Sequence, residues 1–455
     1  MKVRDILDIT KGKLIVGNEE LECENFSKDT RTIQKGDIYI GIKGENFDGN
    51  LFWKQALDNG AEAVIIENVQ IMPEEVEKYS DKTIIKVENT LESLYEIAKY
   101  KRSLYNIPVI AVTGSVGKTS TKDVIASVVS TEYKTLKTEG NNNNNIGLPL
   151  TILKLKDHEA LVIEMGMNHL GEISLLTNIA SPTFAIITNI GTSHIGNLGS
   201  RENILKAKLE ILEGMEIPKI IINNDNDLLH NWATQNYDKI EIHTFGIQNQ
   251  SDLCAEEIQL REDGSEFIAI SSQEKIKINV PVGGEHFVYN ALCAMKVGQI
   301  LGISNENIQK GIAKFELTKK RMDIRKLENG AILINDAYNA SYESMKASLE
   351  FLEKHTGTRK IAVLGDMFEL GEFSEELHKK VGEEVAKRNI DILICAGEAS
   401  KYIIKEAEKN TKIDTYYFNN NEEIVENLYQ KLKNGDVVLV KASNGMKFFE
   451  ICQKL

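Results

Sequence analysis

Residues 109–123 of the chain read VIAVTGSVGKTSTKD. The first four residues form an apolar run typical of a buried strand, and helix-forming residues continue beyond Lys118 to about residue 130. The glycine turn between them lets backbone N–H groups converge on an anion, the helix start adds partial positive charge, and the lysine reaches the outer phosphates. We therefore predict a polyphosphate-binding loop formed by Gly114, Ser115, Val116, Gly117, Lys118, Thr119 and Ser120.

The predicted loop is tighter than the common form of this motif. The usual pattern has a further glycine at the position that Val112 occupies here. The alternative is an ordinary glycine turn before a helix, but the Lys118-Thr119 pair at the junction favours phosphate binding.

Composition limits the classes of function open to the chain. At 455 residues, with 42% hydrophobic and 27% charged residues, it should fold as about three globular domains. The net charge of −14 and the lack of a basic stripe argue against a nucleic-acid partner, so an anionic ligand needs local cations or a metal ion. No apolar run approaches the ~20 residues that span a bilayer, and the five isolated cysteines are typical of free thiols. We expect a monomeric cytoplasmic protein without membrane insertion.

Alternating apolar runs and amphipathic stretches predict three α/β domains. Residues 1–88 read as a small unit, with strands expected at 37–42, 61–67 and 83–87 and a helix at 51–59. Residues 89–315 begin with an amphipathic helix at 91–105 and predict a mostly parallel sheet, although residues 241–281 have the alternation of antiparallel strands. Residues 316–455 predict a second, Rossmann-like doubly wound sheet. Ligands of such sheets collect beyond the carboxyl ends of the strands.

Two polar side chains follow strands expected beside the phosphate-loop strand. Glu164 ends the run at 161–163 and, with the Thr119 hydroxyl, could hold Mg²⁺ near the phosphates; the alternative is a capping or salt-bridged glutamate. His194 follows the strand at 184–189, and both a ligand-binding role and a structural role are open for it.

Lys208 is placed unusually for a lysine. It falls within an apolar helical stripe at 204–212, whereas Lys206 falls on the polar face. Burial lowers a lysine pKa, and a neutral amine can react with CO₂ to form a carbamate, which would convert a cation into a carboxylate suited to Mg²⁺. Snorkelling of the side chain towards solvent, or an ion pair with Glu164 or Glu210, explains the pattern equally well.

Further candidates lie in loops and at a helix start. The asparagine run at 141–145 precedes an ordered-looking Ile-Gly-Leu-Pro segment, so we predict a structured, hydrogen-bonding loop in which Asn142 and Asn143 bind substrate. Asn290, after a glycine pair, could contact a nucleotide base or be a surface amide. Arg321, between the second and third domains, could clamp a phosphate when the domains close.

These motifs together resemble the Mur ligase family, the ATP-dependent amide-forming enzymes of bacterial peptidoglycan synthesis. The likeness covers essentially the whole chain, and the residues that carry it are TGSVGKTSTK at 113–122, GNNNNNIGLPLT at 140–151, IEMGM, NIGTSHIG, AKLEIL, GEHFVYNAL at 284–292, KKRMD, INDAYNASYESM, AVLGDMFELGE and VVLVKAS. The tight phosphate loop and the Ala-Tyr-Asn-Ala motif are the specific parts, since relatives that add single amino acids typically have Tyr-Ala-His there.

The resemblance implies an ATP-dependent ligase that joins D-alanyl-D-alanine to UDP-N-acetylmuramoyl-tripeptide through an acyl phosphate. It implies one Mg²⁺ on Thr119 and Glu164 and a second on His194 and a carbamylated Lys208. It further implies catalytic roles for Lys118 and Arg321, with Arg321 at the γ-phosphate.

By the same likeness, Asn290 would contact the adenine and Asp336 the ribose of ATP. Asn339 would bind the substrate, and Arg31 and Lys43 are weaker candidates for the uridine diphosphate end.

Three positions depart from the family pattern. Asn339-Ala340-Ser341-Tyr342 replaces Asn-Ala-Asn-Pro, Lys441-Ala442-Ser443-Asn444 replaces Lys-Gly-Ser-Arg, and Asn50 replaces a frequent histidine. All lie outside the ATP core, so they bear on acceptor specificity. A folylpolyglutamate synthase, a ligase for a single amino acid, a P-loop kinase and an inactive nucleotide-binding regulator are the alternative functions.

Overall fold

Three β-sheets follow one another along the chain, and each is flanked by helices. They are seen in a computed structural model that describes residues 1–272, 274–316, 322–409 and 413–455. The three sheets fall within the three predicted segments, which confirms an α/β fold with three units; the exact domain boundaries stay a prediction.

The N-terminal sheet has five strands in the order β1-β5-β4-β3-β2. β2 to β5 run parallel and β1 is an antiparallel edge strand. The strands are β1 (Lys13–Val16), β2 (Phe26–Ser27), β3 (Ile38–Ile40), β4 (Ala63–Ile66) and β5 (Thr83–Lys86), and the helices are α1 (Val3–Thr10), α2 (Trp53–Asp58) and α3 (Pro73–Lys78). β3, β4, β5 and α2 occupy the predicted positions. β1, β2, α1 and α3 are additional elements.

The central sheet has nine strands in the order β14-β13-β12-β11-β10-β9-β6-β8-β7. Its strands are β6 (Val109–Thr113), β7 (Thr135–Lys137), β8 (Ala160–Glu164), β9 (Phe184–Ile187), β10 (Lys219–Asn223), β11 (Glu241–Gly246), β12 (Leu253–Leu260), β13 (Ser265–Ile270) and β14 (Lys275–Val280). Its helices are α4 (Thr90–Ser103), α5 (Lys118–Val129), α6 (Gly147–Leu153), α7 (Glu172–Ala180), α8 (Ile195–Leu198), α9 (Arg201–Leu209), α10 (Asp227–Thr234), α11 (Glu285–Ile300) and α12 (Asn305–Lys314).

One expectation about this sheet is wrong in part. β11 pairs in parallel with β10, and β12 pairs in parallel with β11, so only β12, β13 and β14 form the antiparallel meander expected for the whole of 241–281. β11 was misread because its sequence lacks the continuous apolar run of a parallel strand buried on both faces. Its first half, Glu241–His243, is partly exposed and only its second half is buried.

The C-terminal sheet has six strands in the order β15-β16-β20-β17-β18-β19. Five strands run parallel and β15 is an antiparallel edge, which fits the predicted doubly wound unit. The strands are β15 (Asp323–Lys326), β16 (Ile332–Asn335), β17 (Lys360–Gly365), β18 (Ile392–Ala396), β19 (Asp414–Phe418) and β20 (Val437–Lys441), and the helices are α13 (Tyr342–Lys354), α14 (Ser374–Ala386), α15 (Ser400–Ala407), α16 (Asn421–Lys431) and α17 (Phe449–Lys454).

The buried strand β6 fixes the position of the site. All five of its side chains are buried, as expected of a strand covered by helices on both faces, and each such aliphatic side chain contributes about 1.5–3 kcal/mol. β6 lies between β8 and β9, with which it pairs in parallel. The carboxyl ends of the three strands therefore meet at one edge of the sheet. No helix in the described ranges is both long and apolar enough to cross a membrane.

Candidate active site

The loop between β6 and α5 has the backbone that its glycines predict. Gly117 has φ +85°, and Gly114 has φ +150° and packs so closely that an added Cβ would lie 1.9 Å from the Thr188 Oγ1. The Val116 N–H donates to the Asn189 side chain at 3.0 Å, and the Thr188 hydroxyl donates to the Val116 carbonyl at 2.7 Å. The end of β9 thus holds the loop rigidly in front of the N-terminus of α5.

Lys118 is the first residue of α5, and its ammonium group donates to the Gly114 carbonyl at 2.8 Å. The side chain is thereby folded back over the loop that we predict to bind phosphate. This places a cation beside the converging N–H groups of the helix start, as phosphate binding requires.

A cavity of about 440 Å³ opens beside this loop, between the central and C-terminal sheets. It is lined by most of the residues predicted to bind nucleotide or metal: Ser115, Val116, Gly117, Lys118, Thr119, Ser120, Asn143, Glu164, His194, Asn290, Asp336 and Asn339. Most of the residues predicted from the sequence therefore lie together in one cavity.

Glu164 occupies the end of β8 and is only 2% exposed. Its two carboxylate oxygens accept hydrogen bonds from the Thr119 hydroxyl and from the Asn143 amide, each at 2.8 Å. No described lysine or arginine pairs with it, so the salt-bridge alternative is not observed. A buried carboxylate next to a threonine hydroxyl, at the mouth of a phosphate loop, is a donor set that suits Mg²⁺.

Within the described residues, no three His, Cys, Asp or Glu side chains converge as a metal site. Any Mg²⁺ in this cavity would therefore take most of its ligands from hydroxyl, phosphate and water oxygens. Such a mixed coordination shell is ordinary for Mg²⁺ at a nucleotide.

The asparagine run is a folded loop, as predicted. The Asn144 side chain accepts hydrogen bonds from the N–H groups of residues 146 and 147, which starts α6, and the Asn145 amide donates to the Tyr95 hydroxyl at 3.0 Å. Asn143 points to Glu164, whereas Asn142 is exposed and does not line the cavity.

His194 precedes the short helix α8 with φ +64°, a left-handed conformation that is uncommon for histidine. Its ring lines the cavity, and Nδ1 lies against the carboxylate of Glu369, which belongs to the C-terminal domain. This contact holds the pKa of the Glu369 carboxyl below its usual value.

Lys208 is 2% exposed near the end of α9, as the apolar stripe predicts, and Lys206 is exposed. Burial, together with the nearby charge of Lys118, lowers the pKa of Lys208 well below its usual value. No ion pair to Glu164 or Glu210 is formed; the Glu210 carboxylate instead accepts from the Gly171 and Ser174 N–H groups at the start of α7. Burial without an ion pair thus favours the neutral amine, the form that reacts with CO₂.

Asn290 lies on α11 and is 7% exposed. Its side-chain oxygen accepts a hydrogen bond from the Thr121 hydroxyl at 2.9 Å, while its buried amide nitrogen has no partner among the described residues. Because a buried donor is rarely left unpaired, this nitrogen indicates a ligand acceptor in the cavity.

The C-terminal domain contributes Asp336 after β16. Its carboxylate accepts hydrogen bonds from Lys441 and, at 2.7 Å, from Ser348. Lys441 also donates to the Asn339 carbonyl at 3.1 Å. These bonds fix the turn that carries Asp336 and Asn339 at the cavity edge.

The comparisons with known proteins agree along the whole chain. The family descriptions "Mur ligase family, catalytic domain", "Mur ligase middle domain" and "Mur ligase, glutamate ligase domain" match residues 24–102, 112–298 and 320–444. The UDP-N-acetylmuramoyl-tripeptide–D-alanyl-D-alanine ligase of Bacillus subtilis (strain 168) is 37% identical over 100% of this chain and 98% of its own length. The chain belongs to the Mur ligase family.

Solved structures of relatives have the same arrangement of three domains as this Mur ligase. The crystal structure of MurF from Acinetobacter baumannii superposes with a TM-score of 0.89 at 29% identity, covering 100% of this chain and 98% of that one. MurF ligase from Thermotoga maritima, solved in complex with ADP, gives a TM-score of 0.82 at 27% identity, covering 96% and 98%.

Gly114, Asn142 and Lys208 do not line the cavity, and three further predicted residues of this Mur ligase lie elsewhere or outside the described ranges. Arg31 is 84% exposed and forms an ion pair with Asp29, whose pKa falls to about 2 through their hydrogen bonds. Lys43 is an exposed residue of the N-terminal domain, away from the cavity. Arg321 belongs to residues 317–321, which lie outside the described ranges. The roles of all three stay predictions.

Among the cavity residues to which sequence reasoning gave no functional role are Lys441 and His286. A lysine that closes the apolar run VVLVK of β20 was a usable signal, because the carboxyl end of a parallel strand is where ligands bind. His286 was passed over because it lies at an ordinary helix start; burial lowers its pKa to about 4.

Proposed function

We propose that this chain catalyses the ATP-dependent joining of D-alanyl-D-alanine to UDP-N-acetylmuramoyl-tripeptide. The observation that carries the proposal is the single cavity in which the phosphate loop, the buried Glu164–Thr119 pair and the C-terminal Asp336–Lys441 pair meet. The name of the Bacillus subtilis relative, at 37% identity over the full chain, supports the choice of substrates.

The reaction has two steps. A terminal carboxylate oxygen of the tripeptide attacks the γ-phosphorus of ATP, so that an acyl phosphate forms and ADP leaves. The amine nitrogen of D-alanyl-D-alanine then attacks the acyl carbon, and inorganic phosphate leaves from the tetrahedral intermediate as the amide forms. Two protons of the ammonium group are lost to solvent or bases during the second step.

The side chains of the cavity provide position and charge for the first step. The N–H groups of residues 114–120 and the Lys118 ammonium would hold the phosphates, and the unpaired amide nitrogen of Asn290 would donate a hydrogen bond to adenine. Thr119 and Glu164 would hold one Mg²⁺, and His194 and Lys208 a second. Bound there, Mg²⁺ would neutralise the charge on the transferring phosphoryl group.

We further propose that Lys208 acts as a carbamate. The neutral amine adds to CO₂, one proton leaves, and a carboxylate-like group results. Support comes from its burial and depressed pKa and from the lack of an ion pair with a described carboxylate. A carbamate would add an acidic ligand beside His194 for the second Mg²⁺, since no three described His, Cys, Asp or Glu side chains converge as a metal site.

We place the reaction in the cytoplasm and assign it to a monomer. The five free cysteines suit a reducing compartment. One chain contributes residues from both its central and its C-terminal domain to the cavity, so a second copy is not required to complete it.

The test is an assay for phosphate release and for the amide product by mass spectrometry. Purified protein would receive Mg·ATP, D-alanyl-D-alanine and UDP-N-acetylmuramoyl-tripeptide with lysine or with diaminopimelate as third residue; parallel reactions would contain a single D-alanine, or folate with glutamate. We expect the pentapeptide product with one of the tripeptides. The proposal would be refuted if neither tripeptide gave phosphate release and amide product, or if only folate with glutamate were turned over. A stable phosphorylated product without an amide would indicate a kinase.

The matched control is Lys118→Ala, compared with Lys122→Ala in the same helix. Lys122 is buried whereas Lys118 is partly buried, and Lys122 donates to the Thr138 carbonyl at 2.7 Å and pairs with Asp123, away from the phosphate loop. Loss of turnover in the first variant and retention in folded samples of the second would assign the effect to the loop.

A further inference from the structure

The motif GDMFELGE at 365–372 has no role in the reaction as described so far. It follows β17 in the C-terminal domain and packs against the turn at 194–199 in the central domain. The Gly196 N–H donates to the Glu369 carbonyl at 2.9 Å, and a Cβ added to Gly196 would lie 2.5 Å from the Gly371 nitrogen. The two backbones therefore touch directly, and only glycine fits at the contact.

The side chain of Glu369 reaches from this contact to His194. Its carboxylate lies against Nδ1 of the imidazole, which has no other hydrogen-bonding partner among the described residues. Both residues have left-handed backbones, with φ +62° for Glu369 and +64° for His194. Such conformations cost free energy and persist where the surrounding structure enforces them, often at functional sites.

A second carboxylate of the C-terminal domain holds the same loop. Glu343, in the first turn of α13, accepts hydrogen bonds from the Thr192 N–H at 2.8 Å and from the Thr192 hydroxyl at 3.0 Å. An added Cβ at Gly191 would lie 2.6 Å from the carboxyl carbon of Glu343. The loop at 191–196 is thus fixed from the C-terminal domain at both of its ends.

Stability does not account for this arrangement. The Glu369 side chain is 48% exposed and the His194 side chain 19% exposed. Ion pairs at such partly exposed positions contribute little to stability. The contact does, however, fix which ring nitrogen of His194 carries a proton, because a carboxylate at Nδ1 requires N–H there and leaves Nε2 as an acceptor.

We propose that Glu369 is a positioning residue that orients His194 across the domain interface and presents its Nε2 to Mg²⁺. The metal site is consequently complete only while the C-terminal domain is docked on the turn at 194–199. This inference rests on the proposed role of His194 as a metal ligand. Carboxylates that hold the second nitrogen of a metal-binding histidine commonly change metal affinity by roughly 10–100-fold.

The experiment compares Glu369→Ala and Glu369→Gln with the control Glu372→Gln. Glu372 lies in the same segment, but its side chain is exposed and forms no ion pair with a described residue. Mn²⁺ binding would be measured by electron paramagnetic resonance on the full-length protein saturated with ADP, and the tautomer of His194 by ¹⁵N NMR of histidine-labelled protein without metal.

We expect Glu369→Ala to weaken Mn²⁺ binding by roughly 10–100-fold and to abolish the single Nδ1–H tautomer of His194. Glu369→Gln, whose amide oxygen still accepts from Nδ1, should restore most of both properties. The unfolding temperature should change little. The proposal would be overturned if Glu369→Ala bound Mn²⁺ as tightly as Glu372→Gln does and kept the same His194 tautomer.

Two further variants separate this inference from the proposed function. Gly196→Ala leaves every carboxylate in place but prevents backbone docking, so it should reproduce the loss of Mn²⁺ affinity; normal affinity would contradict the dependence on docking. If His194→Ala binds Mn²⁺ as the wild type does, the assignment of His194 as a metal ligand fails. If the wild type forms the amide while the Glu369 variants behave normally, only the positioning role is refuted.

Discussion

The unpaired amide nitrogen of Asn290 allows a quantitative prediction about nucleotide binding. Asn290→Ala removes a buried donor that has no partner among the described residues. An unpaired buried donor costs about 1–3 kcal/mol, and a nucleotide acceptor would recover that free energy on binding. The variant should therefore lose about 1–3 kcal/mol of ADP affinity, which corresponds to a Kd roughly 5- to 150-fold higher.

The same substitution should affect the stability of the free protein far less. Removing the unpaired nitrogen is favourable by about 1–3 kcal/mol. Two effects oppose this: the Thr121 hydroxyl loses the acceptor that it reaches at 2.9 Å, at a cost of about 0.5–1.5 kcal/mol, and a small cavity forms. We thus expect a nearly unchanged unfolding temperature without nucleotide and a much smaller increase when Mg·ADP is added.

Calorimetric titration with Mg·ADP and thermal unfolding, both on the full-length protein, measure the two quantities. Asn427→Ala is the matched control, because Asn427 on α16 also has a buried side-chain atom without a partner but lies away from the cavity. Thr121→Val, which removes only the hydroxyl that orients the amide, should give an intermediate Kd. Wild-type affinity in Asn290→Ala, or an equal loss in Asn427→Ala, would refute this reasoning.

Three further predictions concern other parts of the site. Lys208→Ala should abolish amide formation, and added short carboxylic acids should restore part of it; wild-type activity in the variant would exclude the carbamate. Burial lowers the pKa of His286 to about 4, so between about pH 6.5 and 4 the unfolded state binds a proton that the folded state does not. The stability to urea should therefore fall as the pH drops through this range, and it should fall less steeply in His286→Asn. Gly114→Ala, whose Cβ would overlap Thr188, should raise the KM for ATP and lower the unfolding temperature more than Gly199→Ala, which has φ +78° but open space.

The parts of the site that sequence predicts are those encoded by short segments. The phosphate loop needs only a strand, two glycines and a helix start in succession, and these lie within residues 109–130. Burial of Lys208 could be predicted because helical periodicity is local. The pairing of Thr119 with Glu164 was also accessible, since neighbouring parallel strands bring their carboxyl ends together.

Contacts between domains could not be predicted in the same way. His194 and Glu369 are 175 residues apart (369 minus 194), and no local pattern relates them. Glu369 looks like one more acidic residue in an exposed loop, and its role follows only from the way the C-terminal domain docks. The partner of Lys208 was undetermined for the same reason, because Glu210 is close in sequence but is directed to the start of α7.

The charge balance of the cavity explains why domain docking and nucleotide binding belong together. The protein has a net charge of −14, and in the cavity the cations Lys118 and Lys441 face the carboxylates Glu164 and Asp336. Burial lowers the pKa of Lys208 and so disfavours its positively charged form. The described residues therefore do not create a strong positive field for a nucleotide triphosphate, and Mg²⁺ must supply much of the charge that holds it. The metal site that we propose, completed by the C-terminal domain through Glu369, would join binding to closure. The charge needed for phosphoryl transfer would then be assembled only in the arrangement that also shields the acyl phosphate from water.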